Sequence, residues 1–165
     1  MYEHNLEKRR VEHEAVKLFI NLVNARSEGK IRLLYQRERP DAVLENTLER
    51  SKFGVEITHL FYNECEAKRM FGRSNQEDCG LGNFTILLNE LNSRIARKEA
   101  TFTQVKLDYS ISLLIRNASP LYGLNHFIAN VDQIARSRHI FQDIWLLTRD
   151  GEMEWHLYRL PDEIK

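Results

Sequence analysis

Arg39-Pro40-Asp41 and, after a short gap, Gly54-Val55-Glu56-Ile57-Thr58 decide how this chain folds. Read as two antiparallel strands with Asp41 opposite Glu56, the stretch sets Val43 against Gly54 and Glu45 against Lys52. The other face then carries Ala42, Leu44, Phe53, Val55 and Ile57, all apolar. A slip of one residue would mix the two faces, so pattern and register support each other. The connection from Asn46 to Ser51 is polar, and Glu45 opposite Lys52 adds a cross-strand charge pair worth a few tenths of a kcal/mol to about 1. Such a hairpin aims two carboxylates, Asp41 and Glu56, at one point on its polar face.

Working outward, Glu3 to Arg26 reads as a helix, because Val11, Ala15, Val16, Leu18, Phe19, Leu22 and Val23 form a broad apolar arc. Gly29 is placed to end it. Ile31–Tyr35 reads as a strand, and Asp41–Asn46 and Lys52–Leu60 are the hairpin. Glu64–Phe71 can form a short helix, and the stretch from Gly72 to Asn83, rich in breakers, reads as a loop. Thr85–Thr101 is a second long helix with Leu88, Leu91 and Ile95 on one stripe. Asp108–Arg116 is a strand whose Ile111, Leu113, Leu114 and Ile115 suit burial on both faces. Asn125–Ser137 reads as a third helix. Phe141–Thr148 and Glu152–Leu160 read as strands joined by the tight-turn signal Asp150-Gly151. The order is that of an α/β protein: a mixed sheet flanked by helices.

Composition bounds the function. With 165 residues, 42% hydrophobic and 29% charged, the chain is expected to be one globular domain, residues 1–165. It has no apolar run long enough to span a bilayer and no signal-peptide pattern at its start, so no membrane partner and a cytoplasmic location are expected. Cys65 and Cys79 make neither a disulfide framework nor a zinc set, and are read as free thiols of a reducing cytosol. Twenty-four basic and 24 acidic residues cancel, which argues against nucleic-acid binding by bulk charge but leaves room for a local basic groove. Lys8-Arg9-Arg10, the trio Arg94, Arg97 and Lys98 with Lys106 after it, and Arg136, Arg138 and His139 are such local clusters. Each fits either a solvated face or a phosphate contact.

Pro40-Asp41, then Glu56-Ile57 on the next strand, within the order αβββαβ from Glu3 to Arg116, resembles the PD-(D/E)XK nuclease superfamily. The resemblance implies a restriction-endonuclease-like fold over about two thirds of the chain, with Asn117–Lys165 adding a C-terminal helix and hairpin. It implies hydrolysis of phosphodiester bonds, of DNA in the first instance, and a magnesium or manganese ion held by Asp41, Glu56 and the Ile57 carbonyl. Thr58 stands where the family carries a lysine.

The chemistry accounts for these residue types. Magnesium prefers oxygen ligands and keeps several waters. A bound metal lowers the pKa of a water and neutralises charge growing on phosphate oxygens. Thr58 can donate a hydrogen bond but brings no charge, and loss of one preorganised donor commonly costs ~10²–10³ in rate. Lys98, at the end of the apolar stripe of the second helix, is the candidate replacement; the alternative is a lysine snorkelling at a helix C-terminus. The family often has a glutamate on the first helix. At steps of about 100°, Glu12 falls inside the apolar arc and Glu14 just outside it. Glu12 is therefore the candidate, with pairing to a buried cation as its other reading. The catalytic set is Glu12, Asp41, Glu56, Thr58 and Lys98. Two further readings stay open: a member of the same fold that binds without cleaving, and an unrelated α/β protein with a solvated hairpin. His59 points away from Thr58 and is read as a structural or surface histidine, while Cys65 lacks a partner histidine for nucleophilic work. A homodimer is compatible with this fold, but no interface is legible.

Overall fold

The computed structural model describes residues 2–62, 65, 67–68, 83–136, 139–150 and 154–160. Its elements run α1 (Tyr2–Arg26), β1 (Ile31–Gln36), β2 (Ala42–Asn46), β3 (Ser51–Leu60), α2 (Phe84–Phe102), β4 (Ser110–Asn117), α3 (Leu124–Ala129), a 3₁₀ turn (Val131–Gln133), β5 (Asp143–Arg149) and β6 (Trp155–Arg159). The strands form one six-stranded sheet in the order β1-β2-β3-β4-β5-β6. β2 runs antiparallel to both β1 and β3, β3, β4 and β5 run parallel, and β6 returns antiparallel. Parallel neighbours need a crossover, and α2 supplies it between β3 and β4.

The β2–β3 register is Ala42 with Val55, Val43 with Gly54, Leu44 with Phe53 and Glu45 with Lys52. That is the pairing read from the face pattern, and one step further it sets Asp41 opposite Glu56. The two faces of the sheet are covered separately. Ala42, Leu44, Val55, Ile57, Leu114 and Leu147 lie under Ala15, Val16 and Phe19 of α1. Leu60, Ile111, Leu113, Ile115 and Leu146 lie under Leu87, Leu88, Leu91 and Ile95 of α2. Ile111 through Ile115 are buried at every position, because β4 is central and faces both layers.

Local hydrogen bonds explain the element ends. After α1, Asn24 clamps the start of β1, with Nδ2 donating to the Ile31 carbonyl at 3.0 Å and Oδ1 accepting from the Ile31 amide at 2.8 Å. Asn83 caps α2 by accepting from the Thr85 amide at 2.8 Å.

Two expectations change. The third helix ends at Ala129 rather than Ser137, so Arg136 and His139 follow it instead of closing it. The cause is tertiary: Asn92 of α2 donates to the Gln133 carbonyl and accepts from the Ala135 amide, at 2.8 and 2.7 Å, and these bonds hold the chain open there. Cys65 is disulfide-bonded, not a free thiol, so the thiol argument for a reducing compartment falls. Cys79, the Gly72–Gly82 loop, most of the Glu64–Phe71 segment, Arg138 and the Gly151 turn lie outside the described residues. No helix among the described residues is long and apolar enough to cross a membrane.

Gly54 permits the approach of the segment that carries Asp41. A Cβ placed there would meet Pro40 Cγ at 2.6 Å and Tyr109 Cε2 at 3.2 Å. Gly54→Ala is therefore expected to cost ~1–3 kcal/mol, the usual range for overpacking, and to push Pro40 and Asp41 outward. Chemical denaturation of the two proteins, with divalent-ion binding measured beside it, checks both effects.

Candidate functional site

Side chains alternate along β3, so Glu56 and Thr58 point to the α2 face while Ile57 points to the α1 face. Asp41, just before β2, comes alongside through the register described above. Its Oδ2 accepts a hydrogen bond from the Ile57 amide at 2.7 Å. This bond replaces a ladder bond. Continued by one more step, the β2–β3 register sets Pro40 opposite Ile57, and proline has no N–H. The Ile57 amide turns to the aspartate instead, and the Ile57 carbonyl, on the same edge of the strand, has no amide facing it from that position. Pro40 thus acts twice: it packs over Gly54, and it frees backbone groups beside the carboxylates.

Lys98 reaches in from α2, and its Nζ donates to Glu56 Oε1 at 2.5 Å. The other oxygen, Glu56 Oε2, is buried with no hydrogen-bond partner among the described residues. Glu12 of α1 is buried too, whereas Glu14 is exposed. The cation beside Glu12 is the exposed Lys8, with Nζ 3.4 Å from Oε1, rather than a buried arginine. Thr58 is buried and lines the same hollow as Asp41 and Glu56.

The three acids press on one another. The Asp41 carboxyl is pushed up from 3.8 to about 7, chiefly by burial and then by the charges of Glu56 and Glu12; the Ile57 amide and Lys98 pull the other way. Burial also raises Glu12, against the lowering pull of Lys8, with Glu56 adding to the rise. Desolvated carboxylates that repel one another, with one oxygen unpaired, are only partly matched by Lys98 and Lys8. A hard divalent cation answers that deficit, and Asp41, Glu56 and the Ile57 carbonyl offer it oxygen. Among the described residues no group of three or more His, Cys, Asp or Glu side chains is arranged to hold a metal ion by itself.

The surroundings are basic. The hollow over Asp41 and Glu56, about 300 Å³, is edged by Lys8, Arg39, Arg94, Arg97 and Lys98, with one further acid, Glu38. It adjoins a second hollow of about 340 Å³ bounded by Lys8, Arg9, Arg37 and Arg39 together with Glu12 and Glu38. Arg94 and Arg97 share Glu90, at 2.7 and 3.0 Å, whereas Arg39 is exposed and forms no ion pair among the described residues. A chain with no net charge therefore gathers several cations beside these acids.

All five side chains singled out from sequence reach this region: Asp41, Glu56, Thr58 and Lys98 line one hollow, and Glu12 faces them from α1 across the Lys8 side chain. Lys106 and Arg10 line neither hollow. Arg37 and Arg39 were missed as site cations, although their signal, basic residues directly flanking Pro40-Asp41, is plain in the chain. His59 is buried on the opposite face, its pKa pushed down to about 3 by burial and then by Arg116 and Arg94, so it is neutral near pH 7.

No family model, no curated protein and no solved structure matches this chain.

The raised Asp41 pKa has a thermodynamic consequence. The folded protein holds that proton more tightly than the unfolded chain, so the metal-free protein loses stability as pH rises from about 4 towards about 7. Asp41→Asn keeps an acceptor for the Ile57 amide and removes the charge. In chelator it should be near-neutral below about pH 4 and increasingly stabilising as pH rises to 8, by ~1 kcal/mol or more, or at least ~2–4 °C in Tm for a chain of this size. Millimolar magnesium or manganese at pH 8 should raise the Tm of the native protein and leave the variant unmoved. Thermal melts across that pH range check each point.

Proposed function

We propose that the protein is a divalent-metal-dependent nuclease that hydrolyses phosphodiester bonds, with DNA the favoured substrate by the resemblance to the PD-(D/E)XK superfamily. The observation that carries this reading is the unpaired, buried Glu56 Oε2 beside a second desolvated carboxylate, Asp41, inside a ring of basic side chains. Support also comes from the element order αβββαβ between Tyr2 and Asn117, in which the acids sit on the two adjacent middle strands.

The residues divide the work as follows. Asp41, Glu56 and the Ile57 carbonyl would hold magnesium or manganese. When bound, the ion would supply an activated water and neutralise charge on the phosphate. Lys98 delivers the positive charge that Thr58 cannot, from α2 rather than from β3, and its bond to Glu56 holds that ligand in place. Thr58 offers a hydroxyl donor for the attacking water. Glu12, whose proton affinity is raised, is placed to take up a proton near the acids. The water oxygen attacks phosphorus, the bond from phosphorus to the leaving oxygen breaks, and that oxygen is protonated. Arg39 at the rim, with no ion pair among the described residues, can hold a neighbouring phosphate.

A second reading is a nucleic-acid-binding module that has lost cleavage. Thr58 at the lysine position favours it, because Lys98 is already committed to Glu56.

The two readings part in one experiment. Linear, supercoiled and single-stranded DNA, and RNA, are incubated with the protein and magnesium or manganese. Under the nuclease reading, Asp41→Ala and Glu56→Ala abolish cleavage, and Lys98→Met lowers its rate by ~10²–10³. Divalent-ion binding without cleavage of any substrate selects the binding module. If neither metal binds, both readings fall.

A further inference from the structure

A second feature lies at the same end of the sheet. β3, β4 and β5 are parallel, so their C-terminal ends lie together, and the ladder pairs His59 with Arg116, Arg116 with Leu147, and Arg149 with Trp155. The Arg116 guanidinium carbon lies 5.2 Å from the centre of the Trp155 ring, and that of Arg149 lies 5.0 Å from it. Two cations are thus gathered on one indole. Neither has an ion pair among the described residues. Arg116 Nε is buried and has no acceptor there. The one acid near enough to influence Arg116 is Glu14, which is exposed and lies 3.6 Å from Lys17. Burial, and after it the charge of Arg149, pulls the Arg116 pKa down.

Two guanidiniums on one ring without a carboxylate beside them repel, and stacking on the aromatic ring offsets that only in part. An anion bound beside them would relieve the repulsion and satisfy the empty Nε. Guanidinium donors match phosphate geometry in particular. We propose that Arg116, Arg149 and Trp155 form a second phosphate site on the α1 face at the end of the sheet, which holds a backbone phosphate of a nucleic-acid strand that rounds that end from Asp41 and Glu56. Glu56 pairs with Leu113, so Arg116 lies three residues further along β4 and one strand over, and this odd step turns its side chain to the α1 face, opposite the acids. The separation is roughly 10 Å along the strand and 5 Å across it, to which the passage from one face to the other is added. A nucleic-acid strand that rounds the end of the sheet therefore spans it with several phosphates at ~3.4 Å or more each.

The inference rests on the nucleic-acid reading of the acidic cleft, and two arms keep the two apart. In the first, inorganic phosphate is titrated against Trp155 fluorescence in a Trp145→Phe background. A saturable change that Arg149→Gln weakens tenfold or more supports the anion site whether or not the protein cuts DNA; no change overturns it. In the second, anisotropy of a labelled oligonucleotide in chelator gives the salt dependence of binding. Removing one phosphate contact should lower the slope of log K against log salt by ~0.7–0.9. Arg149→Gln, at an exposed position, serves if Arg116→Gln does not fold. An unchanged slope with a phosphate response assigns the site to free phosphate and overturns the strand proposal. Loss of cleavage in Asp41→Ala with the slope intact bears on the acidic cleft alone.

Discussion

A strand pair can divide its side chains in only two ways, and the pairing of Ala42 with Val55 makes that choice for the whole molecule. It sends Ala42, Leu44, Val55 and Ile57 beneath α1 and leaves Asp41, Glu56 and Thr58 on the α2 side. Had the pairing slipped by one residue, the acids would lie under the α1 layer among Ala15, Val16 and Phe19, where charge has no partner. The position of the acidic pair follows from the same burial that stabilises the sheet.

The acids are then left short of counter-charge. Asp41 has one backbone amide, Glu56 has one lysine, and Glu12 has an exposed lysine. None of these matches what a fully buried carboxylate requires, and the cost is visible in how readily Asp41 keeps its proton. A protein selected for stability alone would replace such a group with an apolar one of similar size. Retained repulsion of this kind is a common property of functional sites. The same reasoning applies to the paired guanidiniums on Trp155, with the sign of the charge reversed.

Much of this was legible in the chain because it depends on short-range periodicity. The alternation in Asp41–Asn46 and Lys52–Leu60 gave register and faces without any knowledge of neighbours. The arc on α1 separated Glu12 from Glu14, and the stripe on α2 pointed Lys98 at the sheet. The third helix misled because its pattern through Ser137 is locally helical, while Asn92, more than forty positions away by chain, takes the backbone bonds of Gln133 and Ala135. The cysteines misled because their number speaks only of frameworks, and one bond between distant residues leaves no periodic trace.

From its sequence alone this protein had its strand register, its amphipathic helices and the types of residue available for chemistry, since each rests on spacing within one or two elements. Tertiary structure decided which of those residues meet. Lys98 and Glu56 come together only because α2 crosses the face that β3 presents. Arg116, Arg149 and Trp155 meet only because three strand ends are brought level. The physical reason is the same in both cases: spacing within an element obeys fixed dihedral periods, whereas proximity between elements is set by how whole faces bury one another, and no local stretch of chain encodes that.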